Sequence, residues 1–525
     1  MKNITTGRPG SLTEKAKRWF GEYGRNVFWL TLFGAAVYFT LLSQDLYNSF
    51  DGLWEFSNYQ AGEWERSIGR WFWPYIDRLR FGVVSYALNS MITLFLDSLA
   101  LTLLADLFEI REKKTAFLLG AFFIASPVTC DVLSYSFMSP TFGTAFLLSV
   151  LSAYCILRAA RLGTAVLGGG MLLACSMGSY QAYIGVLCAV LLFFVMKEVL
   201  RGAQLKTAGA LVQRSVLGVA AGGVLYKLVT VLVSRIYQVP LDDYKGANDV
   251  TVWNMIVKLP ERLGQAYADF YGYFCTDRLQ RLIFGSDLAY GAVLVLIFVF
   301  AGYMLLVWGK KNPRSALLFA LLFAAVPAVC NVTLLIATEA GTVLLMAGAM
   351  ALVPALFLAL FYHTCRKRLL YQVYAVVLCA ALWINVCIVN NDQTAMREGR
   401  TGVTTLTQNI LSRLMDEGYL DEGNQWFAFV GTPAENRLFK KSSAWEMAND
   451  YAAFGRWLVD PNCNRHSWEG MVTERCGVFL NLCESAKYEE ILAGGEVEEM
   501  PVFPKDGCIK IINDVIVVKV SENYK

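Results

Sequence analysis

Long apolar runs dominate this sequence, and they limit the folds that the chain can adopt. A helix needs about 20 mainly apolar residues to cross a bilayer, and eleven runs approach or exceed that length: 26–43, 83–107, 115–130, 141–157, 162–178, 181–196, 208–234, 288–308, 315–337, 341–362 and 371–390. Charged residues make up only 17% of the 525-residue chain, against about 25% in soluble domains. The pattern predicts an all-α polytopic membrane protein with about 11 transmembrane helices.

Lysine and arginine are unevenly distributed among the short loops between these runs. The segments 131–140, 178–181 and 338–341 contain none. The basic residues recur instead in the segments 15–25, 111–114, 158–161, 197–206, 310–314 and 366–368. Because short loops rich in lysine and arginine face the cytoplasm, we expect a cytoplasmic N-terminus. An odd number of spans then places the C-terminal region outside the cytoplasm.

This orientation divides the chain into three parts. We expect a cytoplasmic segment over 1–25 and a transmembrane domain over 26–390, with outer loops at 44–81 and 235–287. The remaining residues, 391–525, have the composition of a soluble domain. We expect them to form a small extracytoplasmic α/β domain.

Secondary-structure signals support a mixed fold for this C-terminal region. Residues 401–417 have the pattern of a helix, and Trp426–Val430 has that of a strand. Ile509–Ile512 and Val515–Val520 predict a hairpin around Asn513-Asp514. Four cysteines in this region either form two disulfides in an oxidising compartment or remain free thiols. They are Cys463, Cys476, Cys483 and Cys508.

Composition argues against several classes of function. A net charge of +3 does not favour nucleic acid as a partner. His363 and His466 are the two histidines, and the thirteen cysteines include no C-x-x-C pair, which argues against a zinc site or a thioredoxin motif. Asp242 and Asp243 suit a divalent metal or, alternatively, a solvated acidic turn. The sequence identifies no other cofactor.

The first outer loop concentrates groups that can do chemistry at a membrane surface. It contains Asp45 and Asp51, Arg66 and Arg70, and many aromatic residues. Apolar residues at three- and four-residue spacing over 64–79 predict one face of a helix that lies in the headgroup region. One interpretation is an aromatic anchor with solvated charges. The other is a carboxylate held beside a phosphate-binding arginine.

The second interpretation suits an enzyme that uses a polyprenyl-phosphate sugar. Transfer of the sugar to a hydroxyl passes through an oxocarbenium-like state. The reaction needs a base for the acceptor proton and a cation for the leaving phosphate. Asp51 suits the first role, with Asp45 as its rival. Arg70, together with Arg66, suits the second because a guanidinium binds phosphate bidentately and stays charged.

The same loop resembles the bacterial GtrII-type glucosyltransferases, which are integral membrane enzymes of the GT-C class. Members of that family tend to have one or two aspartates soon after the first helix, followed by W-x-x-x-GRW. Here Phe50-Asp51-Gly52 is followed by Trp64 and by Ile68-Gly69-Arg70-Trp71. This chain has a single aspartate where many members have a pair, and its tryptophan spacing is one residue longer. These departures keep Asp45 as a rival for the acid.

Two further segments carry the resemblance. Residues 125–137, from Ala-Ser-Pro to Tyr-Ser-Phe, resemble the outer end of the family's third helix, and 176–182 resemble its small-G-x-YQ-[AS] turn. The resemblance implies an inverting transferase in the bacterial cytoplasmic membrane. Such an enzyme moves a sugar, typically glucose, from an undecaprenyl-phosphate carrier. Its acceptor is a cell-surface polysaccharide or lipid-linked oligosaccharide outside the cytoplasm, and an acid in the first outer loop is the base.

Residues near the outer helix ends complete the candidate site. Lys227, in a long apolar run, either binds the donor phosphate or extends to the lipid headgroups. Asp131 is alternatively a helix-end charge in water, and Gln181 a polar turn residue. The residues that we expect to contact the sugar or the acceptor are Asp131, Tyr135, Tyr180, Gln181, Trp64 and Trp71.

Two other functions stay open at this point. A transporter or flippase for a lipid-linked saccharide would have polar groups along a path through the helices, and inverted repeats. The sequence has few charges within its apolar runs and no evident repeat. A polysaccharide polymerase or ligase would share an outer-facing site and differ only in its acceptor chemistry.

Overall fold

Most of the chain is helical in the structure of the protein, which is a computed structural model. The structure describes residues 12–54, 59–244, 252–337, 341–365, 369–421 and 423–524. It is 72% helical, with a small sheet near the C-terminus. The predicted basic cluster at 366–368 and residues 1–11 of the predicted cytoplasmic segment lie outside the described residues.

Nineteen described helices precede the sheet. In chain order they are α1 (Leu12–Val37), α2 (Phe39–Ser43), α3 (Asp51–Trp54), α4 (Glu63–Ser67), α5 (Trp73–Leu79), α6 (Tyr86–Leu107), α7 (Lys113–Ile124), α8 (Pro127–Ser134), α9 (Ser139–Arg158), α10 (Leu162–Ser179), α11 (Ile184–Leu200), α12 (Leu205–Tyr237), α13 (Val252–Cys275), α14 (Ser286–Lys311), α15 (Pro313–Ala324), α16 (Val326–Cys330), α17 (Val332–Ile336), α18 (Gly348–Cys365) and α19 (Leu369–Asp416).

Within the described residues, eight helices are long and apolar enough to cross a membrane: α6, α9, α10, α11, α12, α14, α18 and α19. The bent pair α7 and α8, which meet at 53°, brings the number to nine if it counts as one span. The predicted count of 11 is therefore not confirmed. The predicted run 315–337 is divided among three short helices, and Pro327 near the start of α16 cannot donate a backbone hydrogen bond to the preceding turn.

The first outer loop also differs from its prediction. The prediction of a single interfacial helix over 64–79 is wrong, because α4 and α5 are separate helices. Gly69 lies between them with a φ of +81°, a backbone conformation that ends a right-handed helix. The break turns the residues that follow Gly69 away from the direction of α4.

The basic loops meet at one end of the helix bundle. Glu109, between α6 and α7, forms ion pairs with Arg158 at 3.0 Å, Arg201 at 2.8 Å and Lys197 at 3.7 Å. Arg158 ends α9 and Arg201 follows α11, so three segments that the sequence assigns to one side of the membrane lie together. We call this end of the bundle the basic end.

The C-terminal domain contains the predicted strand and hairpin, which belong to a sheet of four strands in the described residues. Its strands are β1 (Trp426–Val430), β2 (Asn481–Leu482), β3 (Ile509–Ile512) and β4 (Val515–Lys519), in the order β2-β1-β4-β3. β1 pairs in parallel with β2 and β4, and β3 pairs antiparallel with β4. Asn513 and Asp514 have φ values of 50° and 63°, which match a tight hairpin turn. The short helices of this domain are α20 (Ser443–Glu446), α21 (Pro461–Glu469), α22 (Ser485–Ala493) and α23 (Glu496–Glu499).

A single long helix connects the membrane part to the C-terminal domain. α19 has 48 residues, which is about 70 Å at 1.5 Å per residue, so it continues past the predicted boundary at 390. Asp392 on this helix is fully buried. Its carboxylate accepts hydrogen bonds from the backbone N of Asn449 at 3.0 Å, from Asn449 Nδ2 at 2.8 Å and from the Tyr451 hydroxyl at 2.5 Å.

The cysteines are thiols in this structure. All thirteen lie within the described residues and none forms a disulfide, so Cys463, Cys476, Cys483 and Cys508 take the free-thiol alternative. Cys483 and Cys508 are buried, where a thiol behaves as a small apolar side chain.

We expect Asp392→Ala to loosen the C-terminal domain. The substitution leaves the buried donors of Asn449 and Tyr451 without an acceptor, which costs about 3 kcal/mol. Thermal denaturation of the purified full chain should show a lower melting temperature, and trypsin should release the C-terminal domain faster. Asp416→Ala, on an exposed residue of the same helix, is the control and should change neither. Equal behaviour of the two variants would contradict this role for Asp392.

Candidate active site

A cavity of about 560 Å³ lies at the end of the bundle opposite the basic end. Met138 lines it and immediately precedes α9. The other end of α9, Arg158, belongs to the ion pairs that Glu109 forms with Arg158, Lys197 and Arg201, which we call the Glu109 cluster. The 20 residues of α9 separate the two ends by about 30 Å. The cavity walls come from the first outer loop, α8, the turn after α10, the segments 277–281 and 342–345, and the C-terminal domain.

Asp51 lines this cavity at the start of α3, and Asn48 holds the turn that precedes it. The backbone N and Nδ2 of Asn48 donate to Ser134 at the end of α8, at 3.1 and 3.0 Å. Its Oδ1 accepts from the backbone N of Phe50 and Gly52. A Cβ on Gly52 would lie 2.9 Å from the carbonyl oxygen of Ser134, so the close approach of this turn to α8 requires glycine.

The C-terminal domain covers the other side of α3. Trp54 Nε1 donates to Ser467 Oγ on α21 at 2.9 Å. The backbone of Leu53 approaches Gly470 so closely that a Cβ there would overlap its carbonyl oxygen. Asp51 is thus held between α8 and a domain that begins more than 300 residues later in the chain.

Arg70 reaches the cavity because Gly69 turns the chain between α4 and α5. A Cβ on Gly69 would overlap the Tyr226 hydroxyl of α12. Gln181 Nε2 donates to the carbonyl oxygen of Ile68 at 2.8 Å and to the Tyr226 hydroxyl at 3.1 Å. Through these two hydrogen bonds, Gln181 holds the turn at Gly69 against α12.

The GRW motif and the small-G-x-YQ turn pack directly against each other. Trp71 lies on Gly178, where a Cβ would come within 2.7 Å of the indole ring, and the backbone N of Phe72 donates to the carbonyl oxygen of Gly178 at 2.7 Å. The Arg70 guanidinium lies over the ring of Tyr180, 4.9 Å from its centroid. Two motifs about 100 residues apart thus build one wall.

Three buried polar atoms of cavity-lining residues lack hydrogen-bond partners among the described residues: Arg70 Nε, Asp131 Oδ1 and Gln280 Oε1. Asp131 is only 5% exposed and lies on α8. Buried polar groups are normally satisfied, and leaving one without a partner costs about 1–3 kcal/mol. A ligand that accepts from Arg70 and donates to Asp131 would remove the costs at these two residues.

The pKa values of the tyrosines around these groups are set by burial and, to a smaller extent, by the nearby charges. Burial, reinforced by the carboxylates of Asp131 and Asp51, raises the pKa of Tyr135 well above its usual value. Burial also raises the pKa of Tyr180 to about 12, although the guanidinium of Arg70 opposes this shift. Both phenols are therefore neutral hydrogen-bonding groups at physiological pH.

The structure brings some of the predicted site residues together and separates others. The six that line the cavity are Asp51, Arg70, Trp64, Asp131, Tyr135 and Tyr180. Trp71 and Gln181 support the wall from behind, through Gly178 and Ile68. The roles assigned to all of these residues stay predictions.

Three further predicted residues lie outside the cavity lining. Asp45 is exposed, and its backbone oxygen accepts from Arg400 at 2.9 Å. The Arg66 guanidinium lies over the ring of Tyr237, 4.4 Å from its centroid. Lys227 is exposed on α12.

Several lining residues have no signal in the sequence. Arg278 and Arg281 come from the segment after α13, and Asn449 and Tyr451 come from the C-terminal domain. Asn449 Oδ1 accepts from the backbone N of Arg281 at 2.8 Å, which joins these two walls. Among the described residues, no group of three His, Cys, Asp or Glu side chains is arranged to hold a metal ion.

We expect Gly69→Ala to destabilise the protein through the turn that presents Arg70. An alanine at a positive φ costs about 1–2 kcal/mol, and its methyl group would also overlap Tyr226. Thermal denaturation of the purified protein should show a lower melting temperature. Gly264→Ala is the matched control, because a Cβ there meets nothing within 4 Å and alanine favours a helix. A melting temperature unchanged by Gly69→Ala would contradict the described packing.

Comparison with known proteins gives one match. Residues 49–359 match the sequence model of the family described as Glucosyl transferase GtrII, a range that includes Asp51, Arg70, Asp131 and Tyr180. No curated protein and no solved structure matches the chain. Because the matched range covers more than half of the 525 residues, the chain belongs to the GtrII glucosyltransferase family of glycosyltransferases.

Proposed function

We propose that this protein transfers a sugar, most simply glucose, from a polyprenyl-phosphate carrier to a polysaccharide or lipid-linked oligosaccharide. The observation that carries the proposal is that an acid and a guanidinium, Asp51 and Arg70, line the same cavity. The cavity lies at one end of a bundle of apolar helices. A carrier lipid in the bilayer would hold its phosphate at that depth.

The reaction that we propose is a single displacement with inversion. The acceptor hydroxyl oxygen attacks the anomeric carbon while the bond from that carbon to the phosphate oxygen breaks. Asp51 takes the hydroxyl proton as general base. The polyprenyl phosphate leaves with the bonding electron pair, and Arg70 stabilises its negative charge. Asp131 Oδ1, which lacks a donor among the described residues, is placed to accept a sugar hydroxyl.

The orientation that we propose puts this cavity outside the cytoplasm. The support is the Glu109 cluster, because it gathers basic segments at the opposite end of the bundle and such segments face the cytoplasm. The proposal thus assigns the enzyme to the bacterial cytoplasmic membrane, with the C-terminal domain on the outer side, where the acceptor is assembled.

We assign the acceptor side of the cavity to the walls formed by the segment after α13 and by the C-terminal domain. Arg281, Asn449 and Tyr451 also line the cavity, and the hydrogen bonds to Asp392 hold Asn449 and Tyr451 in place. A saccharide acceptor suits such a wall, since hydroxyl groups pair with amide and phenol groups. We propose no metal ligand in this reaction.

Asp51→Asn is expected to abolish most of the transferase activity. An amide cannot accept the hydroxyl proton, and removal of a general base lowers rates by about 10²–10⁴-fold. The measurement is in vitro transfer from a polyprenyl-phosphate sugar to a lipid-linked acceptor by the purified enzyme. Asp45→Asn should retain the wild-type rate because Asp45 lies outside the cavity lining. Full activity of Asp51→Asn would exclude Asp51 as the base, and loss only in Asp45→Asn would assign that role to Asp45.

Arg70→Lys is expected to raise the donor KM or lower kcat by at least about tenfold. Lysine keeps the charge but loses the planar fork that binds two phosphate oxygens, and one hydrogen bond to a charged group contributes about 1.5–3 kcal/mol. Steady-state kinetics with varied donor measures the effect. Arg78→Lys, an exposed arginine of the same loop, is the control. If Arg70→Lys lowers only the melting temperature, the aromatic-anchor interpretation is correct instead.

A further inference from the structure

A second cavity, of about 1000 Å³, lies at the basic end of the bundle. It is a groove between α1, α7 and α19, and its walls over much of its length are apolar side chains such as Trp29, Phe33 and Leu382. Trp29 is 45% exposed. We call this cavity the basal groove. The candidate active site lies at the opposite end of the helices, so the two cavities are separate sites.

One end of the basal groove carries an excess of positive charge. Four cationic side chains line it against two carboxylates, Glu22 and Glu112. Arg111 pairs with Glu22 at 2.7 Å, and Glu112 accepts from Thr115 Oγ1 at 3.2 Å. In the described part of the chain, no ion pair forms at the other three cations, which are Arg25, Lys113 and Lys114.

The length of the basal groove matches one leaflet of a bilayer. Its lining residues on α1 extend from Glu22 to Ala36, which is about 21 Å along the helix axis. Half of a hydrocarbon core is about 15 Å, and the headgroup region adds about 6 Å on each side. A lipid confined to one leaflet would therefore place its headgroup at the lysines and its chains along the apolar walls.

We propose that the basal groove binds an anionic diacyl phospholipid from the leaflet at the basic end of the bundle. Lys113 and Lys114 contact the phosphate, where each basic residue near an anionic surface contributes attraction. The acyl chains lie along α1 and α19, against Trp29 and Leu382. This proposal does not depend on the reaction at the candidate active site.

The test is lipid binding to the purified, delipidated full chain by native mass spectrometry. The probes are phosphatidylglycerol and phosphatidylcholine with identical acyl chains, and a polyprenyl phosphate. We expect phosphatidylglycerol to bind at least tenfold more tightly than phosphatidylcholine. The double variant Lys113→Gln/Lys114→Gln should lose about tenfold in affinity for phosphatidylglycerol. The double variant Lys310→Gln/Lys311→Gln, with the same charge change at the end of α14, should stay within twofold of wild type.

A second variant tests the apolar part of the basal groove. Cys379→Trp places an indole on an exposed lining position and should lower phosphatidylglycerol binding while all four cations remain. Lys113→Gln/Lys114→Gln and Cys379→Trp should both match wild type in size-exclusion elution and in melting temperature, since the changed residues are exposed. Four outcomes would each overturn the proposal. The two phospholipids could bind equally, or the two lysine variants could lose equal affinity. Binding could be unchanged in Cys379→Trp, or the polyprenyl phosphate could bind more tightly than phosphatidylglycerol.

Discussion

The packing of Trp71 on Gly178 is the contact on which the candidate site depends. Because Gly178 has no side chain, the indole lies directly on the backbone of α10, and the backbone hydrogen bond from Phe72 to Gly178 fixes the register. Gly69 supplies the turn that lets Arg70 point to the cavity while Trp71 points to the helix. The local geometry of this wall therefore follows from two glycines, and a larger residue at either position would separate the loop from the bundle.

A second constraint joins the cavity to a distant part of the chain. Asp392 is buried on α19 and accepts three hydrogen bonds from Asn449 and Tyr451, and burial of an acid without such partners would be costly. Since α19 continues from the membrane part into the C-terminal domain as one helix, the domain is placed by the helix rather than by a linker. The cavity is therefore complete only when both parts are folded.

Sequence reasoning identified elements whose signals are local. Eight of the eleven predicted apolar runs correspond to α6, α9, α10, α11, α12, α14, α18 and α19. The hairpin at Asn513-Asp514 follows from residues that tolerate a positive φ. The motif around Arg70 could be predicted because it also consists of residues that are close together in the sequence. The prediction of one helix over 64–79 was wrong because it rested on the spacing of apolar residues and did not consider the break at Gly69. Arg281 and Asn449 could not be found, because only tertiary folding brings their segments to the cavity.

The buried polar atoms of the cavity favour one of the two interpretations of the first outer loop. An aromatic anchor at the membrane surface would leave its charged atoms in water, where they need no partner. Arg70 Nε and Asp131 Oδ1 are instead buried and lack partners among the described residues. Buried polar groups are normally paired with protein, ordered water or a bound molecule, so both atoms are available to a ligand in the cavity. A phosphate that accepts from Arg70 and a sugar hydroxyl that donates to Asp131 are of opposite hydrogen-bonding character, and a sugar phosphate carries both in one molecule.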